Sequence, residues 1–311
     1  MKKTALITKD NRLIEASYRL SLVEHRIIQM AIAWTRAHAT ELTPDTWVEL
    51  RSAEYSALYD LDEKISYRQL KAAARALRDR RLVVDGVHPE TGDVVTIEGG
   101  WVSYVMYSTK NGAIALQFSK LIIPYIFALE QRFTSYQIQH VANFSSVYAI
   151  RLYELCKQYL VIGQRFFELN ELREYLEAND PSYDRIDNFK SKVLDRAIQQ
   201  INTTSDIRLS YMPEKNGRAV SGYLFRIASA RADAASMLNA VNVQNPVVQK
   251  SATVVMRSMS GLSIAENSML KELSALTGRS NVELLLEARA AAGQAELFLW
   301  LDAQLKSAKI T

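Results

Sequence analysis

The sequence predicts an α+β chain, mainly helical, in which one mixed unit is written twice and is followed by a helical C-terminal extension. Three observations lead there. Helix-like and strand-like periodicities follow one another in the same order in both halves, most of the matches recur at a single offset, and both series end in a turn containing Lys-Asn-Gly.

The first unit opens with SLVEHRIIQMAIAW from Ser21, whose apolar spacing is helical and whose serine is placed to cap the helix. Its counterpart is SSVYAIRLYELCKQYL, in which Ser145, Val147, Leu152 and Leu155 answer Ser21, Val23, Ile28 and Ala31 at an offset of 124. Next, WVELRSAEYSAL from Trp47 matches FFELNELREYL from Phe166 at an offset of 119, as a short strand and a short second helix capped by Ser52 or Asn170. The third helix is carried by SYRQLKAAARALRDRR from Ser66 and by NFKSKVLDRAIQQINTT from Asn188; Leu70, Ala73 and Leu77 answer Leu194, Ala197 and Ile201, again 124 apart. A strand and a hairpin come after each. Their tips are TKNG and EKNG, with Lys110 or Lys215 at the turn, and the alternation in WVSYVMYS and AIALQF supports paired strands. Asn-Gly favours a type I′ turn because both central residues take positive φ.

Helix, strand, helix, helix and basic hairpin is the order of a winged helix, a fold that offers its third helix to the DNA major groove and its hairpin to the phosphates beside it. On this reading the chain divides into an N-terminal winged-helix domain at 1–130, a C-terminal one at 131–228, and a linker with a helical extension at 229–311. In the extension, NAVNVQNPVVQKSATVVMRSMSG reads as linker, Ser263 and Glu266 form a capping box, and Gly278 closes the helix it starts. Leu297, Phe298 and Trp300 then supply apolar surface, with packing on the core, association and contact with a host protein all open as roles.

Composition sets the outer bounds. A chain of 311 residues that is 48% hydrophobic has room for two domains and a sizeable core. Thirty-eight basic against 34 acidic residues tilt it weakly towards polyanionic partners. The single Cys156 and four scattered histidines give neither an internal disulfide nor a metal-ligand spacing, which fits a reducing cytoplasm and no cofactor. MKKTALITKD imitates a signal peptide until Lys9, Asp10 and Arg12 interrupt it, and GAIALQFSKLIIPYIFALE is broken by Gln117, Ser119, Lys120 and Pro124, so no membrane role is expected.

Charge separates the two third helices. Between residues 64 and 81, Lys64, Arg68, Lys71, Arg75, Arg78, Arg80 and Arg81 stand against Asp79 alone, and Arg68, Lys71, Arg75 and Arg78 share one helical arc beside Leu70, Ala73, Ala74 and Leu77. With Lys110 on the wing, such a face suits phosphate, although a solvated amphipathic helix carries similar charge. In the second copy the side opposite the apolar row carries Asn188, Lys192, Arg196 and Gln199, types that read base edges. Arg185, Lys215 and Arg218 would position the backbone there. Asn188 alone reads more simply as a helix cap, and Asp195 opposes phosphate, so this helix is more than an electrostatic pad.

Catalysis finds no footing in the pattern. His25, His38, His88 and His140 form no His-x-His pair to serve a tyrosine nucleophile, Tyr148, Tyr153 and Tyr159 lie on a helix whose core accounts for them, and no G-x-x-x-x-G-K-[ST] loop is present. No enzyme is expected.

The stretches LITKDNRLIEASYRLSLVEHRIIQMAI, FTSYQIQHVANFSSVYAIRLYELCKQYL and FKSKVLDRAIQQINTTSDIRLSYMPEKNGRAVSGYLFRI resemble the replication initiator (Rep) family of iteron-carrying bacterial plasmids, over residues 6–228. The resemblance implies two winged-helix domains that bind directly repeated origin sequences as monomers, open an adjacent AT-rich segment and load the host replicative helicase, with a host initiator as a further partner. It also implies a homodimer in equilibrium with the monomer that represses its own promoter. The main base contacts would fall on Arg185, Lys190, Lys192 and Arg196, and the first domain would touch DNA and form the dimer interface. Leu13, Leu20, Ile27 and Trp34 keep a seven-residue spacing that invites a zipper, but core-facing helix accounts for it better. The alternatives are a winged-helix transcriptional regulator without initiator activity and, from another class, a nicking-joining initiator enzyme.

Overall fold

The computed structural model describes residues 4–87, 90–127, 129, 132–217 and 219–230, which belong to one compact unit; Arg218 and the expected extension beyond residue 230 lie outside the described residues. The chain enters through β1 (Leu6–Asp10), a single turn α1 (Asn11–Glu15) capped by the Asp10 side chain, and the two-residue β2 (Ser17–Tyr18). Helix α2 (Leu22–His38) starts where Ser21 and Glu24 close a reciprocal capping box. Then come β3 (Val48–Arg51), α3 (Ser52–Tyr59) and α4 (Glu63–Leu77), whose first turn is held by the Asp62 carboxylate. An inserted hairpin, β4 (Arg81–Val87) and β5 (Val94–Gly100), precedes the wing proper, β6 (Val102–Ser108) and β7 (Ala113–Phe118).

After α5 (Ile123–Ile126), β8 (Phe133–Gln137) and α6 (Gln139–Ala142), the unit is written again. It consists of α7 (Val147–Lys157), β9 (Gln164–Glu168), α8 (Leu169–Leu176), a helix α9 over 186–204, and the hairpin β10 (Ile207–Asn216) and β11 (Ala219–Ser229). The repeat is plainest in the sheets. Each is antiparallel, with orders β6-β7-β3 and β10-β11-β9, so in both copies the returning wing strand lies between its partner and the strand before the second helix. β2, β4 and β5 make a separate sheet that has no counterpart in the second copy.

Local details depart from the sequence reading at the caps and turns. α7 begins after Ser146 without a side-chain cap bond, and the Ser145 amide instead donates to Gln200 Oε1 at 2.8 Å. Ser52 and Asn170 lie inside their helices, whose caps are Arg51 and Glu168, because strand turns into helix within one residue. The Ser52 amide is taken by the carbonyl of Gly112 at 2.8 Å. Neither wing has a type I′ turn centred on Asn-Gly. In the first, Gly112 alone takes the left-handed conformation, φ 57°, and its amide reaches Thr109 O at 3.4 Å across a four-residue loop. In the second, Asn216 still pairs with Ala219, and Gly217, φ 64°, occupies the first loop position.

One apolar core runs through both copies. Leu13, Leu20 and Ile27 are buried in it and Trp34 packs against it, so the heptad spacing serves packing rather than a zipper. Leu70, Ala74 and Leu77 seat α4, while Val193, Leu194, Ala197 and Ile201 seat α9.

A buried polar joint ties the second copy to the chain's entry segment. β1 pairs with β8 across the expected boundary at 130. Lys9 Nζ lies 2.7 Å from Glu154 Oε1, both side chains at most 1% exposed, and the Tyr136 hydroxyl donates to the same oxygen. One turn earlier on α7, Arg151 donates to Ile14 O and Ala16 O, each at 2.9 Å, and to Tyr175 O at 2.7 Å, with its guanidinium over the Tyr18 ring. Such charges persist inside a core only when partnered; both bonds to Glu154 fall on Oε1, and Oε2 is buried without one.

Two outcomes follow. Glu154→Leu strands Lys9 and should cost about 3–5 kcal/mol, whereas adding Lys9→Met should recover most of it, read from urea midpoints. His25 is buried, and burial, reinforced by the Lys9 and Arg151 charges, holds its pKa well below 6.5. The unfolded chain then takes up this proton before the folded one does, so stability falls as pH drops through 6.5, and His25→Phe should flatten that part of a melting-temperature series.

Candidate nucleic-acid interface

On α4 the spacing of the basic residues survives folding. Lys64, Arg68, Lys71 and Arg75 are all exposed, on the side of the helix away from the buried Leu70, Ala73, Ala74 and Leu77. The face borders the wing: Lys71 Nζ sits 5.6 Å above the Tyr107 ring, and the Tyr67 hydroxyl meets Thr109 Oγ1 at 3.3 Å. Lys110 is exposed at the wing tip. A cleft of about 500 Å³ opens between the start of α4 and the wing turn, lined by Ser52, Asp62, Glu63, Lys64, Tyr67 and Gly112.

Not all seven cations counted in sequence belong to this face. Arg80 turns inward to Glu24, with Nε 3.1 Å from each carboxylate oxygen, and so braces the end of α4 against the capping box of α2. Arg78 is exposed but pairs with Asp79 at 3.1 Å. Arg81 is exposed but lies past the helix, as the first residue of β4. What remains on α4 is a four-residue cationic arc with a lysine on the adjoining wing.

α9 is built differently. It is α-helical at Ile186–Asn188, π-helical at Phe189–Leu194 and α-helical again at Asp195–Thr204. Lys192, Arg196 and Gln199 are exposed and, at i, i+4 and i+7, share one side, opposite the buried Val193, Ala197 and Ile201. Arg185 is exposed just ahead of the helix, and Lys215 at the second wing tip. Asn188 is committed locally, its amide donating to Ser182 O at 2.9 Å. Lys190 is exposed but tied: its Nζ lies 2.8 Å from Asp195 Oδ2, and the Tyr211 hydroxyl of β10 donates to Oδ1 at 2.6 Å. Burial would raise the Asp195 carboxyl, but the bonds from Lys190 and Tyr211 outweigh it and leave the pKa below its ordinary value.

Thus the fold groups Lys64, Arg68, Lys71 and Arg75, and separately Lys192, Arg196 and Gln199. Asn188 and Arg78 hold local partners instead. Sequence spacing missed the Lys190–Asp195–Tyr211 group, since residues five apart diverge by about 140° on an α-helix and only the π segment aligns them. Tyr107 beside the basic arc was legible only as strand alternation. Among the described residues no cluster of three or more His, Cys, Asp or Glu is placed to hold a metal ion, and no helix is long and apolar enough to cross a membrane.

Comparison with known proteins places these surfaces in context. The model described as "Initiator Replication protein, WH1" matches residues 6–157, and "Initiator Rep protein, WH2" matches residues 168–227. A replication initiation protein of Escherichia coli is 23% identical over 228 residues, covering 71% of this chain and 69% of its own. The PI protein of Escherichia coli is 25% identical over 261 residues, covering 72% and 83%. The crystal structure of a Pi initiator protein in complex with iteron DNA superposes with a TM-score of 0.62 at 24% identity, over 75% of this chain and all of that one. That likeness establishes the fold: two winged-helix domains.

Proposed function

The chain belongs to the replication initiator protein family whose WH1 and WH2 domains span most of it, and from that premise we propose that it binds directly repeated DNA sequences at a plasmid origin. The observation that carries this reading is the recurrence, in both halves, of one sheet order that sets a third helix with exposed cations beside a lysine-tipped wing. The solved relative that shares the fold is complexed with iteron DNA, which supports the same ligand class here.

The two copies divide the work. The first, through residue 130, lays Lys64, Arg68, Lys71, Arg75 and Lys110 along phosphates, which fixes register without reading sequence. Arg78 stands next to this arc and joins it if its pair with Asp79 opens. The second, through residue 228, docks α9 in the major groove, where Lys192, Arg196 and Gln199 meet base edges, Lys190 stands beside them held by Asp195, and Arg185 and Lys215 approach the backbone. Arg218 belongs to the same proposal from the sequence alone.

Initiation on this scheme draws its energy from binding. Several copies on adjacent repeats supply the few kcal/mol that bending each site costs, and neither a nucleotide nor a cofactor is needed. Opening of an AT-rich segment, loading of the host replicative helicase with a host initiator, and repression of the chain's own promoter by a homodimer complete the proposal. The exposed Tyr104 and Met106 on the edge strand β6 offer the first domain a surface for that dimer.

Substitution separates the roles. Arg196→Ala should cost about 1–3 kcal/mol on the origin repeat and relax base preference at one position, while Lys71→Ala or Arg75→Ala should weaken all duplexes alike and reduce the salt slope by about one unit. Anisotropy titrations on origin and shuffled duplexes across a salt series read both quantities. Equal losses for the three variants on both duplexes would overturn the division of labour.

A further inference from the structure

The least expected group on the proposed reading surface is a carboxylate. Asp195 stands at the junction of the π and α segments of α9, amid Lys190, Lys192 and Arg196, where a phosphate-binding face would exclude it. It is nevertheless built in. Tyr211, from the strand that leads to the second wing, holds one oxygen at 2.6 Å, and Lys190 holds the other at 2.8 Å. The pairing depends on the wide turn: an i, i+5 contact is brought together by the π backbone, which is rare and sits here within the proposed reading helix. Lys190 also lies 5.7 Å from the Tyr211 ring centroid, so its ammonium is committed to one corner of the surface.

Resting on the DNA-binding reading above, we propose that Asp195 is a specificity-determining residue, which withholds Lys190 from indiscriminate phosphate contact and accepts a hydrogen bond from an exocyclic amino group, cytosine N4 or adenine N6, in the major groove. Two features favour this over a purely structural pair. The side chains of Lys190 and Asp195 are 51% and 41% exposed, so both reach solvent where a duplex would lie. And a carboxylate whose two oxygens are each fixed by one donor keeps a lone pair on each for a base, while repelling any phosphate that arrives in its place. A duplex lacking an amino donor at that step leaves the carboxylate desolvated without a partner, which is how a polar group rejects the wrong ligand.

The experiment is selection from a randomised duplex library by the full chain and by its Asp195→Asn and Tyr211→Phe variants, followed by titration of the selected and a shuffled duplex across a salt series. With Asp195→Asn, one base-pair position of the wild-type motif should relax. The affinity ratio between selected and shuffled duplex should fall about tenfold. Binding to the shuffled duplex should gain about one unit of salt slope as Lys190 is released. Tyr211→Phe, which keeps the charge but frees the carboxylate, should lower the ratio with no change in slope, and it stands in if Asp195→Asn fails to melt cooperatively. An unrelaxed motif and an unchanged ratio in both variants would overturn the role of Asp195 while leaving DNA recognition intact. A wild-type chain that selects no motif would overturn the DNA-binding reading itself, and this inference with it.

Discussion

The arrangement of the whole described chain depends on charges that are buried and partnered across the sequence. α7 is buried nearly all round, and Arg151 and Glu154 sit on it with 1% and no exposure. Neither group survives there unless a partner arrives from elsewhere in the sequence: Lys9 for the glutamate, and the carbonyls of Ile14 and Ala16 for the arginine. Removing an ion from water costs several kcal/mol, so any packing of α7 that fails to bring β1 and α1 alongside is heavily penalised. The joint therefore specifies which surfaces meet, and the paired β1 and β8 add main-chain hydrogen bonds in the same place.

On that frame one topology carries two different surfaces. Both copies fold their wing strands in the same order and seat the third helix by the same small and branched apolar residues, Leu70, Ala73 and Leu77 in one, Leu194, Ala197 and Ile201 in the other. The solvent side was then free to diverge. α4 presents a cationic arc and no acid within it, whereas α9 intermixes cations, an amide and a carboxylate under a π-helical backbone. The WH1 model matches residues 6–157 and the WH2 model residues 168–227, so the contrast falls between the two matched regions.

Much of the fold was legible because periodicity reports burial directly. The apolar rows of α2, α4, α7 and α9 lie where their spacing puts them, and both wings form where alternating strands flank Lys-Asn-Gly. The misses share a cause. Caps at Ser52 and Asn170 failed because the helices start one or two residues earlier, which puts the extended cap position on Arg51 and Glu168; the type I′ turns centred on Asn-Gly failed because the first loop is four residues long and in the second Asn216 is still paired. The joint at Lys9 and Glu154 spans 145 residues, and only the charged letters Arg151 and Glu154 among the apolar ones of α7 hinted at it. Arg80 shows the limit for the candidate interface: sequence counts its charge, but only coordinates reveal that it faces Glu24.

The two wings also differ in how their tips are held. At Gly112 the chain is clipped to α3 through Ser52, and an added Cβ would come within 2.9 Å of the Ser52 hydroxyl; a Cβ added at Gly217 would meet no described atom within 4 Å beyond its chain neighbours. The first lysine tip is thus an outrigger bolted to its hull, with its backbone ordered when the protein folds, so that association has only a side chain left to immobilise. At the second, the open space around Gly217 leaves room for a surface to come right up to the backbone, so closeness of approach rather than stiffness is what that turn contributes.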